Sequence, residues 1–255
     1  MSKVELISDA ADYVGCVELL DHMGSDLDIV NAARVSFNKE ARALQDKDVK
    51  LIKYLWENKH TSPFEHCVIK FRIEVPLFVA KQHMRHRTWS YNEVSRRYTS
   101  DDIKFYTPSL VREQAKSNRQ VSTDSLIDPV IFSVAGEYSQ DVMDTTASEG
   151  IKQLTDQAFS LYNKLLQSGV CREQARGVLP QNMLTKYIAT ANLLNVFKFL
   201  SLRNKPEAQY EMRLLASAVE TLTSHLFPAA YSAYKRDDVV SEIAIAVSTP
   251  KKEEK

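Results

Sequence analysis

Between Lys81 and Tyr98 the chain reads KQHMRHRTWSYNEVSRRY, which sets Lys81, Arg85, Arg87, Arg96 and Arg97, with His83 and His86, against one carboxylate, Glu93. Cations this close repel one another unless something anionic sits among them. A planar guanidinium matches phosphate oxygens two at a time, where lysine offers a point charge. Ser90, Asn92 and Ser95 add the neutral hydrogen bonds that the uncharged atoms of a nucleotide need. On charge alone the simpler reading is a solvated basic helix face followed by a loop.

Two further clusters weigh against that simpler reading. His60-Thr-Ser-Pro-Phe-Glu-His66 places His60, Ser62, Glu65 and His66 directly before a strand-like run. Farther on, Arg172, Arg176 and Arg203 lie on or beside apolar helical stretches. Long cations near apolar faces often only lay their stems along them. Three arginine-bearing segments and a polar strand entrance together suit a site for two phosphorylated ligands.

The elements that must position these residues read as a mixture of helices and strands. Leu44, Val49, Ile52 and Leu55 recur at helical spacing, predicting an amphipathic helix over about Ala41–Asn58. From Val68 to Val75 the period becomes two, with Ile69, Phe71, Ile73 and Val75 on one face and Lys70, Arg72 and Glu74 on the other. That is a half-buried strand of an antiparallel sheet. Pro76 ends it and suits the first turn of a helix running to about Met84. The stretch from about 109 to 150 is polar apart from Val130–Ala135 and reads as a peripheral excursion. Helices are expected at Ile151–Gln167, with Leu154, Phe159, Tyr162 and Leu165 on one face and Gly169 as its stop. Others are expected at Arg172–Val178, Tyr187–Leu202 and Glu207–Leu226. The lysine-rich tail at about 250–255 should fray.

Composition narrows the function classes. Lysine plus arginine equals aspartate plus glutamate at 33 each, so any basic patch is local. General affinity for nucleic acid or a membrane surface is not expected. Only six glycines occur and none forms a dinucleotide or P-loop fingerprint, leaving side chains to hold any phosphate. Cys16, Cys67 and Cys171 form no close pair and read as reduced thiols. Cys67 fits a strand core and Cys171 a half-buried helix. His83 and His86 lack further ligands for a metal and sit among arginines, so no metal is expected. His22 and His225 default to surface or core roles. With no apolar run behind Met1–Asp9 and no stretch of ~20 apolar residues, a cytoplasmic, non-membrane protein is expected.

Arg85-His86-Arg87, seven residues, then Ser95 resembles the RHRx7S signature of flavin-dependent thymidylate synthases. MGSDLDIVNAARVSF (Met23–Phe37), HTSPFEH (His60–His66), REQARGVLP (Arg172–Pro180) and FLSLR…AQYEMR (Phe199–Arg213) resemble further blocks of that family, in its order. The resemblance implies an α+β fold, an antiparallel sheet flanked by helices, in a single domain over 1–255. It implies a homotetramer with sites where subunits meet. FAD contacts would fall to Arg85, His86, Arg87, Ser62, Glu93 and Asn192, with His60 and Asn92 as further ligand contacts. Lys198 stands where the family often has a flavin-contacting asparagine, and Glu207 where a histidine often lies near the flavin. Contacts to dUMP would fall to Gln82, Arg85, Glu93, Ser95, Arg96, Arg97, Arg176 and Arg203.

The implied reaction converts dUMP to dTMP with methylenetetrahydrofolate as carbon donor and FAD reduced by NADPH, leaving tetrahydrofolate. Ser95 has only arginines beside it, and these accept no proton, so it reads as a hydrogen-bond partner of substrate, not a nucleophile. Arg203 is the expected catalytic residue, stabilising negative charge as uracil N3 ionises. Two rivals stand beside this reading: an RNA- or single-strand-binding module stacking bases on Trp89, Tyr91 and Tyr98, and an inactive homologue that keeps the assembly.

Overall fold

The computed structural model describes residues 2–116, 121–135 and 142–235. The tail expected at 250–255 lies outside them. Its centre is an antiparallel sheet whose five strands are β1 (Lys3–Ile7), β2 (Tyr13–Met23), β3 (Val68–Pro76), β4 (Ser90–Glu93) and a late strand, Leu184–Asn192, in the spatial order β1-β2-β3-late strand-β4. The mixed helical and antiparallel character follows the sequence. Ile69, Phe71, Ile73 and Val75 all turn fully inward, as their alternation predicts. Glu74 departs from the pattern: it is buried, and the Lys186 ammonium at 3.3 Å gives it a partner.

Helices close the sheet. Before β3 come α1 (Asp26–Arg34) and α2 (Asp46–Glu57), and after it α3 (Leu77–His83). Helix α2 is shorter than the spacing predicts, because Gln45 and Asp48 form a reciprocal cap at its start. Its inward face is also rotated. Asp48, Ile52, Leu55 and Trp56 are buried, while Leu44 and Val49 stay exposed. Asp48 is drawn inside by its ion pair with Arg34.

The 109–150 stretch contains two hairpins, β5 (Val111–Gln114) with β6 (Ser122–Ile127) and β7 (Val130–Ala135) with β8 (Val142–Thr146). Helix α4 (Ala147–Gln167) follows, beginning four residues before its predicted start. The Thr146 hydroxyl accepts from the Glu149 amide and the Glu149 carboxylate accepts from the Thr146 amide, which fixes that start. Thr155 and Tyr162 are its buried residues, and Leu154, expected inside, is exposed. The short α5 (Arg172–Ala175) and a 3-10 turn over Arg176–Val178 occupy the helix expected there. Gly169 stops α4 with φ of +85°, as expected. Cys67 is fully buried, whereas Cys171 caps α5 and is exposed, not half-buried.

The late strand is the main correction. The sequence predicts a helix over Tyr187–Leu202, but the chain forms β9 (Leu184–Asn192) and only then α6 (Leu193–Arg203). Alanines favour a helix in isolation, yet tertiary pairing decides here. Ala189 lies opposite Phe71 on one side and Tyr91 on the other, where two large rings leave room for one methyl group. Helix α7 (Tyr210–Leu226) then packs on α6 and on β1 and β2. No helix among the described residues is long and apolar enough to cross a membrane.

Candidate active site

Helix α3 ends at His83, and the next turn brings His86 under α6. Arg203, the last residue of α6, donates its Nε–H to His86 Nε2 at 3.1 Å. Burial, reinforced by the arginine's charge, lowers the His86 pKa, so the ring is neutral and able to accept. Burial also lowers the Arg203 pKa, leaving the guanidinium charged and half-shielded from water. Gln82, one turn back, bonds Gln209, whose amide in turn donates to Glu211 at 2.9 Å. Gln82, His86 and Arg203 thus share one wall, made by α3, α6 and the start of α7.

Behind that wall is an aromatic floor. Trp89 is buried, stacks toward Phe71 and donates from Nε1 to the Asn195 carbonyl at 3.4 Å. The Tyr91 hydroxyl donates to the His83 carbonyl at 2.8 Å and to that of His86 at 3.1 Å. Trp89 is therefore unavailable as a base-stacking platform, Tyr91 is half-buried, and Tyr98 alone of the three is well exposed.

His83 is fully buried against the Tyr187 hydroxyl, 2.9 Å from Nδ1. Burial, then the charges of His86 and Arg203, push its pKa from the ordinary 6.5 down to about 3. A depressed folded-state value means that protons bind the unfolded chain first, so stability held above pH 6.5 is lost as pH falls toward 3. In urea titrations across that window, His83→Gln should show a shallower loss than the parent chain. Equal slopes would remove His83 from the acid response.

Beyond the sheet edge a second group forms. Glu93 on β4 accepts from Thr185 at 2.6 Å, and Arg97 meets Glu173 at 3.1 Å. Arg176 donates from Nε to the carbonyl of the same Glu173 at 3.3 Å. Arg97 and Arg176 are thereby brought together. The Arg97 pair is exposed, and such pairs are worth about 0–1 kcal/mol. It would open readily for a phosphate. Among the described residues Ser95 Oγ accepts only from the Arg97 amide, at 3.3 Å, and no basic side chain bonds to it.

Arg96 does something other than clamp a substrate. It is buried and donates to the Asp101 carbonyl at 2.6 Å and the Asp102 carbonyl at 3.4 Å. The side chain closes its own loop from within, and the pairing of Asp102 with Lys186 of β9 ties that loop to the sheet. No hydrogen bond or ion pair among the described residues joins Arg97 or Arg176 to His86 or Arg203.

A third group surrounds the start of α6. Asn192 caps that helix, its Oδ1 accepting from the Asn195 amide at 3.0 Å, which leaves its amide hydrogens free to donate. The 3-10 turn Ser62–His66 packs on α1 and α6, with Ser62 exposed and His60 edge-on to Tyr54. His66 lines a cleft of about 730 Å³ with Met23, Asp28, Asn31 and Asn38. The blocks Met23–Phe37 and His60–His66 thus meet at one opening. The sequence singles out no individual residue of Met23–Phe37; only the ordered block signals it. Asn92, Lys198 and Glu207 are exposed. His22 and His225 are exposed, as one of their two default roles. No cluster able to hold a metal occurs among the described residues.

The side chains of Arg85, Arg87 and Lys198 have no hydrogen-bond or ion-pair partner among the described residues. Cations without counter-charges, the donor-capable Asn192 amide and the exposed Ser62 hydroxyl are the donor types that fit a dinucleotide diphosphate and its polar rings.

Comparison with known proteins agrees with this chemistry. The chain is 40% identical over 221 residues to the flavin-dependent thymidylate synthase of Thermus thermophilus, covering 87% of this chain and 76% of that protein. It is 38% identical over 222 residues to the enzyme of that name from Wolbachia pipientis wMel, covering 86% and 73%. The fold matches the crystal structure of the UMP/dUMP methylase PolB from Streptomyces cacaoi bound with 5-Br UMP. The TM-score is 0.70 at 32% identity, over 86% of this chain and 93% of that one. The family model described as thymidylate synthase complementing protein matches residues 18–229, and the chain belongs to that family.

Proposed function

We propose that the chain is a flavin-dependent thymidylate synthase, methylating dUMP to dTMP with methylenetetrahydrofolate and NADPH as co-substrates. One observation carries the reading: a half-buried guanidinium, Arg203, whose Nη groups have no partner among the described residues, beside a set of unneutralised cations. In this reading Arg85, Arg87, Ser62, Asn192 and Lys198 hold FAD. Held there, reduced flavin would supply the hydride that completes the methyl group. Gln82 hydrogen-bonds the uracil edge, held in place by Gln209. Arg97 and Arg176 exchange Glu173 for the 5′-phosphate. Arg203 stabilises the charge that develops as N3 ionises and electron density moves to C5.

Among the described residues no hydrogen bond or ion pair joins Arg97 or Arg176 to the Arg203 wall. That separation supports a homotetramer in which one subunit supplies the phosphate clamp and another the ring site. Cytoplasmic location and small-molecule substrates, with no nucleic-acid partner, complete the proposal.

The test is tritium release from [5-³H]dUMP with FAD, NADPH and methylenetetrahydrofolate. The expected result is release that stops when any one of the three is omitted. Folded, flavin-loaded chain that releases nothing would sink the reading.

A further inference from the structure

The proposed reaction gives Arg203 its charge role but not its direction. A guanidinium rotates about its Cδ–Nε bond, and only a fork lying in the plane of the uracil ring reaches two of its imide-edge atoms together. His86 meets this need. Its Nε2 lies 3.1 Å from Arg203 Nε, at the one guanidinium nitrogen that does not belong to the outward fork. The imidazole is itself held on several sides. Phe199 packs edge-on with ring centroids 5.1 Å apart and the His83 ring lies at 6.2 Å, while the backbone that carries the ring is tied by the Tyr91 hydroxyl, which donates to the His86 carbonyl at 3.1 Å. Phe199 belongs to the same helix as Arg203, so ring and guanidinium are fixed to one another by α6.

We propose that His86 is a positioning residue for Arg203: by accepting the Nε–H it fixes the guanidinium plane and turns both Nη groups toward the substrate. This rests on the proposed thymidylate synthase reading. The bond engages Nε2 alone, so the proton of the neutral ring sits on Nδ1, which has no hydrogen-bond partner among the described residues.

Two variants of the full-length chain separate the roles. His86→Phe keeps the ring packing on Phe199 and removes the acceptor, whereas His86→Gln supplies a carbonyl oxygen in its place. With FAD and dUMP binding held within about threefold of the parent, the phenylalanine variant should lose about a hundredfold in kcat for tritium release, the scale of a misdirected charge-stabilising donor. Glutamine should restore it to within about tenfold of the parent. In ¹⁵N-resolved NMR the Arg203 Nε–H signal, slow to exchange in the parent, should vanish in His86→Phe and return in His86→Gln. Loss of flavin binding in the phenylalanine variant would return His86 to the cofactor. Undiminished turnover, or no rescue by glutamine, would overturn the positioning role. The NMR signal reads the bond even if the parent chain releases no tritium. A protected Nε–H with no parental turnover would sink the activity reading and leave the bond without a catalytic purpose.

Discussion

Arg203→Ala should lower kcat for tritium release by about two to three orders of magnitude while leaving the fold and flavin binding in place. The size follows from where the guanidinium sits. Burial lowers its pKa, which means its charge is poorly solvated and acts through a weakly screening surrounding. A charge so placed interacts strongly with whatever negative charge forms beside it, and it needs no reorganisation to do so. Arg203→Lys keeps a cation but loses the fork and the Nε–H bond to His86, so it should recover only part of the loss. Folding is spared because α6 is anchored by Val196, Phe197, Phe199 and Leu200, all buried, and not by its last residue. Steady-state tritium release with matched circular dichroism would check this. An alanine variant within a few-fold of the parent would remove Arg203 from the chemistry.

The second large effect concerns stability. Gly15→Ala should destabilise the chain by about 3 kcal/mol or more, at the upper end of what overpacking costs. A methyl group on Gly15 would lie 2.0 Å from the Glu74 carbonyl oxygen, 2.9 Å from its carbon and 3.2 Å from the Val75 Cα. These are backbone atoms of the neighbouring strand, so no side chain can move aside. Relief requires β2 to part from β3 next to the register pair Cys16↔Glu74, where their ladder begins. Gly169→Ala is the contrast, because nothing lies within 4 Å of a methyl group there and only its φ of +85° opposes the change. Urea unfolding of both variants would rank them. A Gly15→Ala midpoint near that of the parent would show that the strands separate cheaply.

Much of the site was legible in the residues, and the reason lies in local chemistry. The cation density of Lys81–Tyr98 against one carboxylate follows from composition alone, and so does the polar turn before β3. Strand β3 was legible because two-residue alternation needs no distant partner to be seen. What escaped was set by distant contacts. Strand β9 reads as helix until Phe71 and Tyr91 are placed on either side of Ala189. The inward faces of α2 and α4 were misjudged because Asp48 and Thr155 go inside. Asp48 pairs with Arg34, and Thr155 accepts from Asn182 at 2.9 Å. Polar partners remote in sequence leave no periodic trace. Arg96 belongs with these: as a residue type it resembles its neighbours Arg85 and Arg97, and only the carbonyls of Asp101 and Asp102 show that it faces inward. The T-x-x-E cap at Thr146 is the exception, a start signal that is local and written in the sequence itself.

Helix α6 runs from the Asn192 cap to Arg203, so it is the ruler between two ends to which the proposed function gives ligands. Its eleven residues set a spacing of about 16 Å and a fixed angular phase. One inserted residue would lengthen it by about 1.5 Å and swing Arg203 by about 100° away from His86. A change of side chain along its exposed face leaves this ruler intact, whereas a change in its residue count shifts both the spacing and the phase of Arg203.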